Sequence, residues 1–347
     1  MLTTDCPILL LSSERSGSNL IRVMMGSHRE VSAPASAQVI KTLVPLIALY
    51  GRVDGKVAER IAGDMIRILE TQLGSWTQPP TVSEIVNGVE GVPSFGKVLM
   101  ALYGTAMREA GKTRIFIKDN GIIPHAFALS ALYPDAHFVY LVRDPRDVAL
   151  SWKRSPGHPG GVREAARMWV REQTQALQFL AIREGSSNPV ILIRYEDLVA
   201  SPREVLEGLL KQLGLDFDEE MLRFHEGEEA QRAATTMSGW ANLQEPLLAN
   251  NCGKYKEGLS AKEIEAVERI AGAPMKQLGY LKGVVTNSSG RSDDLIGKLF
   301  RAGRTLLQHV PMGRKGYYEF QRRVRRLKAL RQIESQCSRK VVPWQDE

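Results

Sequence analysis

Cysteine is scarce: Cys6, Cys252 and Cys337 are the only three in 347 residues, far apart and without the C-x-x-C steps of a metal site. That excludes a disulfide framework, suits a reducing compartment and leads to the expectation of no metal. Also lacking is an apolar run of the roughly 20 residues that a membrane helix needs. The early run from Pro7 to Leu11 is short, no basic cluster precedes it, and a strand needs it. The expectation is therefore a cytoplasmic protein with neither leader nor anchor. No nucleic-acid-binding motif accompanies the arginines, so DNA and RNA are excluded as partners. The ATP-binding pattern GxxxxGK[ST] is missing its lysine as well, which counts against a kinase. What the chain does have is 43% hydrophobic residues, enough to bury a large core in one domain or one domain plus an appendage.

The most informative stretch runs from Pro7 to Met25, PILLLSSERSGSNLIRVMM. Ile8 to Leu11 read as a central strand covered on both faces. Ser12 to Gly17 must turn the chain, with Gly17 free of a Cβ that would keep the backbone from an anion. Ser18 and Asn19 are capping residues, and Leu20, Ile21, Val23, Met24 and Met25 give the next segment a helical apolar face. Loop amides and a helix N-terminus then converge on one point, which is a cradle for an anion.

A second such unit follows. Phe138 to Val142 form a β-prone run, placing Arg143 at the carboxyl end of a strand, where open α/β sheets bind ligands. Asp144 caps the next helix, Pro145 suits its first turn, Asp147 is its third residue, and Ser151 lies eight residues beyond Arg143. Arg143 and Ser151 can together hold a phosphate monoester. Val190 to Arg194 is a further strand running into Tyr195-Glu-Asp-Leu198. Arg114 to Lys118 is another, with a polar end at Asp119 and Asn120.

Glu14-Arg15-Ser16-Gly17-Ser18-Asn19-Leu20 resembles the 5′-phosphosulfate loop of sulfotransferases, [PE]-[RK]-S-G-[ST]-x-[LW]. Those enzymes use 3′-phosphoadenosine 5′-phosphosulfate (PAPS). The Arg143 to Ser151 unit resembles their 3′-phosphate site. RYEDL resembles their adenine motif, which implies that Tyr195 contacts the base. Asn251-Cys-Gly-Lys254-Tyr255-Lys256, with Leu278-Gly-Tyr280 after it, resembles the segment that closes over the nucleotide. Lys118 matches the lysine that approaches the transferred group. The resemblance spans about residues 7 to 282. It implies an α/β fold, a P-loop NTPase-like parallel sheet flanked by helices, with PAPS as co-substrate and no metal. The implied cofactor-binding residues are Arg15, Ser16, Gly17, Ser18, Asn19, Leu20, Arg143, Ser151, Tyr195, Lys254 and Tyr255.

Transfer requires positive groups aimed at the charge that grows on the bridging oxygen. Arg15 is the first candidate, with Lys118 assisting. A proton acceptor should add about 10² to 10⁴. Here the chain departs from its relatives. Many of them carry a glutamate after the first helix, and Ser36 stands there, after His28. Others carry a histidine two residues past the lysine, and Asn120 stands there. Asp119 and His125 are the remaining candidates, with His28 farther away. The loop from Ser155 to Gly161 is a candidate acceptor gate or a solvated turn.

Residues 291–347 hold 14 Lys and Arg against 6 Asp and Glu, a net of +8 in a chain of +7, so the rest sits at −1. A polar boundary near Thr286 divides a sulfotransferase domain, 1–285, from a basic tail, 286–347. Leu295, Leu299, Leu306 and Val310, then Phe320, Val324, Leu327 and Leu330, space as two amphipathic helices around Pro311 and Gly313. Such a tail could meet an anionic membrane face or acidic glycan, pack on its own subunit, or join a second copy. A glycan or lipid-linked glycan is the expected acceptor, with a small molecule or polyketide-type intermediate as the alternative. A kinase and a non-catalytic adenosine bisphosphate binder are the readings from other classes.

Overall fold

A computed structural model describes residues 6–72, 76, 78–155, 158, 160–236, 238–248, 251–281, 325, 327–333 and 335. Its centre is a parallel sheet of five strands in the order β2-β3-β1-β4-β5: β1 Ile8–Ser12, β2 Val31–Ser32, β3 Arg114–Ile117, β4 His137–Val142 and β5 Ile191–Arg194. Continuous apolar runs form β1, β3 and β4 because the sheet is covered on both faces there. The strand period of two sends Leu9 and Leu11, Ile115 and Ile117, and Phe138, Tyr140 and Val142 into one core. Ile8 and Leu10, Phe116, Val139 and Leu141 go into the other. Each fully buried Leu or Ile stabilises by roughly 1.5–3 kcal/mol.

The first core is closed by helices Gly55–Leu69, Phe95–Glu109, Pro145–Arg154, Gly161–Arg183 and Ala261–Gln277. The second is closed by α1, Ser18–Ser27, with Pro202–Leu213 and Glu228–Thr236. The strand order decides where a ligand fits. The chain leaves β1 through α1 toward β2 on one side of the sheet and leaves β4 toward β5 on the other, so a crevice opens at the carboxyl ends of β1 and β4. Both arginine motifs end there.

One local expectation is corrected. Ser18 and Asn19 do not cap α1: Gly17 is the N-cap, at φ 88°, and Ser18 is already helical. Between β2 and β3 the helical stretch from Val39 is divided into Val39–Leu43, a 3-10 turn Val44–Leu46, Ile47–Tyr50 and Gly55–Leu69. Pro45 and Gly51 account for the breaks. The boundary near Thr286 and the tail positions from Leu295 to Val324 lie outside the described residues. Of the tail, 325, 327–333 and 335 are helical; Ile333 is buried within the first core and Leu327 is exposed. Among the described residues no helix is long and apolar enough to cross a membrane.

Candidate active site

A cleft at the predicted crevice is lined by Arg15, Gly17, Ser18, Asn19, Leu20, Arg143, Ser151 and Tyr195 on one side. Phe224, Trp240, Asn242, Leu243, Pro246, Leu247, Leu248 and Asn251 line the other. Most of the expected cofactor-binding residues therefore meet in one place. The exceptions are Ser16, buried beneath the loop, and Lys254 and Tyr255, which do not line the cleft: Lys254 is exposed, and the Tyr255 ring lies under the Arg146 guanidinium at 4.3 Å.

The loop holds a left-handed residue at Arg15, φ 69°, a region that side chains rarely occupy. That turn points the guanidinium at the second motif, where its Nε donates to Ser151 Oγ at 2.9 Å. The Arg143 guanidinium stacks on the Tyr195 ring at 4.1 Å and donates to Asn251 O at 2.8 Å. Asn251 Nδ2 donates in turn to the Tyr195 hydroxyl at 2.7 Å. Two guanidiniums so placed raise each other's energy. Burial and then Arg143 pull the Arg15 pKa down against the pull of Glu14, so an anion between them relieves both.

Other contacts stitch the motifs together. Asp147 accepts from Gly253 N at 2.7 Å and Tyr255 N at 2.9 Å, fastening the 251–256 segment to the Arg143 helix. Glu196, from RYEDL, accepts from Asp144 N at 2.9 Å and from the Tyr280 hydroxyl at 2.8 Å. Arg146 binds Asp144 at 2.7 Å and Glu268 at 2.7 Å. Charged residues of the motifs that do not line the cleft thus hold the pieces in register.

Beyond Arg15, away from the nucleotide cleft, Lys118 is buried and donates to Asn120 Oδ1 at 2.7 Å. Burial, then Arg22, pull its pKa down to about 8 against the pull of Asp119 and Glu14. Asp119 accepts from Ser36 Oγ at 2.5 Å, Gln38 N at 2.6 Å and Ile40 N at 3.1 Å, while burial raises its pKa. Those three donors commit the carboxylate to holding the 36–40 backbone, so it is poorly placed to collect a proton from an acceptor. His125 ends the 3-10 turn Ile123–His125, half-buried, its pKa lowered by burial and then by Lys41. His28 is buried, its Nδ1 accepting from Glu30 N at 3.0 Å and its Nε2 meeting Asp216 O at 2.9 Å, which makes it structural.

Sequence reasoning missed Trp240, Phe224 and Leu247 as the apolar wall of the cleft. Their segment carries no motif, and only its position against α1 makes it visible. It also missed Glu14 and His158, joined at 2.8 Å across 144 positions of sequence. Of the Ser155–Gly161 loop, Pro156, Gly157 and Pro159 lie outside the described residues.

Residues 7–219 match the model of the sulfotransferase family. Nodulation protein NoeE of Sinorhizobium fredii is 22% identical over 293 residues, which span 78% of this chain and 65% of that protein, just under two thirds of its length. The sulfotransferase domain from the curacin biosynthetic pathway superposes with a TM-score of 0.54 at 22% identity, over 80% of this chain and 99% of that one. The sulfotransferase domain from the Synechococcus PCC 7002 olefin synthase gives 0.52 at 23% identity, over 76% and 94%. Both superpositions show the same parallel fold.

Proposed function

This chain belongs to the sulfotransferase family, and on that premise we propose that it moves a sulfuryl group from PAPS to a hydroxyl of a carbohydrate acceptor. The observation that carries the donor is the cradle at β1 and β4. Ser16 Oγ and Arg143 Nε are buried there without a protein hydrogen-bond partner, as groups awaiting an anion are. Those atoms, the loop amides, Ser151 and the Tyr195 ring fit a nucleotide phosphorylated at both ends, so PAPS suits the residues present.

Bound there, PAPS supplies sulfur bearing a good leaving group, the 5′-phosphate of adenosine 3′,5′-bisphosphate. The chain supplies charge: Arg15, which lines the cleft, carries the main part, and Lys118, just past β3 and outside that lining, assists. Both act as donors to oxygen rather than as nucleophiles. The aromatic and aliphatic wall, Phe224, Trp240 and Leu247, excludes water from the base.

The acceptor side is polar. Glu14, Lys41, Lys118 and Glu172 act on one another's charge there, and burial, then Glu14, hold the Glu172 carboxyl up at about 7 against Ser13, Arg171 and Lys41. Alternating donors and acceptors suit a polyol better than an aryl alcohol. The +8 segment 291–347 suits a sugar presented on an anionic surface. A second reading, a hydroxyl on a biosynthetic intermediate, is favoured by the fold shared with the curacin-pathway domain.

The test is a radiolabelled PAPS assay against two pools, oligosaccharides and hydroxyacyl thioesters. Label is expected on the saccharides; label on the thioesters alone overturns the carbohydrate reading. Label on neither overturns transfer and leaves a bisphosphate binder.

A pH dependence follows from Lys118. Because its pKa is lowered to about 8, the ammonium is present below that pH and is lost above it. Turnover is expected to decline as the pH rises through ~8. In Lys118→Arg, whose guanidinium stays charged, the alkaline decline should vanish. An unchanged alkaline limb in that variant would place the titration elsewhere.

A further inference from the structure

Two parallel ties join the β1–α1 loop to the Pro145–Arg154 helix. The first is the Arg15 Nε to Ser151 Oγ bond on the nucleotide side. The second runs from Glu14, the preceding residue, to Ser155, one turn beyond Ser151. Glu14 Oε2 lies 2.8 Å from His158 Nε2, and His158 Nδ1 lies 2.7 Å from Ser155 Oγ. The imidazole rests on the Trp152 ring, centroids 4.3 Å apart. None of Glu14, Ser155 and His158 lines the nucleotide cleft. Glu14 also feels the charges of Lys41 and Lys118, the groups assigned above to the acceptor side.

The hydrogen positions follow from Glu14. Burial pushes its pKa up, but the His158 hydrogen bond, Lys41, the charge of His158 when it is protonated, and Lys118 outweigh burial and hold the carboxyl below its usual value. An ionised carboxylate only accepts, so Nε2 carries the proton and Nδ1 presents its lone pair to the Ser155 hydroxyl. This carboxylate, imidazole and hydroxyl sequence orients a base in the way that hydrolytic triads do.

We propose that His158 is the proton acceptor of the transfer reaction, positioned by Glu14 and reached through the Ser155 hydroxyl. The inference rests on the transfer reading above. As the acceptor oxygen bonds to sulfur, the bond from sulfur to the bridging oxygen breaks, and its electron pair stays on adenosine 3′,5′-bisphosphate. The acceptor's proton passes to Ser155 Oγ, whose own proton moves to His158 Nδ1. The imidazolium formed faces the Glu14 carboxylate. The arrangement supplies the role that Ser36 and Asn120 do not fill, in a chain whose Asp119 is saturated with donors.

Two measurements on the full-length protein test this. The first needs no turnover: ¹⁵N imidazole spectra should show His158 in the Nε2–H tautomer, and Glu14→Ala should convert it to a mixture. An Nδ1–H tautomer, or no response to Glu14→Ala, overturns the proposal. The second is transfer to whichever of the two pools, saccharides or hydroxyacyl thioesters, the wild type labels. His158→Gln should lower kcat about 10²-fold or more, with KM for PAPS and affinity for adenosine 3′,5′-bisphosphate unchanged. Glu14→Ala should lower kcat about tenfold or more in the same pattern. If the wild type transfers and His158→Gln transfers equally, only the base assignment falls. Loss of bisphosphate binding in His158→Gln means a structural role and overturns it too. If the wild type transfers nothing, the transfer reading itself fails and takes this inference with it.

Discussion

Arg15→Ala is expected to lower turnover by two to three decades, as removal of a preorganised donor to developing charge does. The side chain is placed for that task at some cost. Its backbone occupies φ 69°, a conformation worth roughly 1–3 kcal/mol of strain in a residue other than glycine. Ser151 Oγ holds its Nε at 2.9 Å, which fixes the plane of the guanidinium. Arg15→Lys should recover little, because an ammonium cannot keep the Ser151 contact and reach an oxygen at once. Single-turnover rates at saturating PAPS separate this effect from binding. Near-normal rates in Arg15→Ala would remove the residue from the mechanism.

The second large effect is expected at Gly17. A Cβ there would stand 2.3 Å from Tyr195 Cδ2 and 2.4 Å from Cε2, and φ is +88°, which side chains rarely adopt. Gly17→Ala must therefore push the Tyr195 ring away. That ring carries the Arg143 stack and the Asn251 hydrogen bond, so the 3′-phosphate site moves with it. A loss of adenosine 3′,5′-bisphosphate affinity of tenfold or more is expected by calorimetry, equivalent to ~1.4 kcal/mol or more. Wild-type affinity would show that the loop tolerates the shift.

This steric role marks a limit of the sequence reading. The glycine was expected to let the backbone approach an anion; the structure adds that it seats a tyrosine 178 positions away, which no local pattern shows. Strands β1, β3 and β4 were legible because doubly covered strands are written as unbroken apolar runs, and the edge strand β5 carries the same apolar run although Leu192 is exposed. The position of Arg143 at the end of β4 followed from the same fact. What the sequence could not show depends on contacts between distant elements. Asp147 looks like a helix N3 residue, yet its carboxylate holds Gly253 and Tyr255. Asp119 looks like a base beside a lysine, yet Ser36, Gln38 and Ile40 claim its oxygens. His158 looks like part of a Pro and Gly turn until Glu14 is found against it.

The central claim is that the crevice between β1 and β4 recognises a nucleotide by both phosphates. Thermal melts of the full chain with adenosine 3′,5′-bisphosphate and with AMP test it most directly, because the two ligands differ only in the group that Arg143 and Ser151 would hold. The bisphosphate should raise the melting temperature more than AMP, and Arg143→Ala should erase the difference while leaving the smaller AMP effect. Equal stabilisation by the two ligands in the unmutated protein would contradict the account.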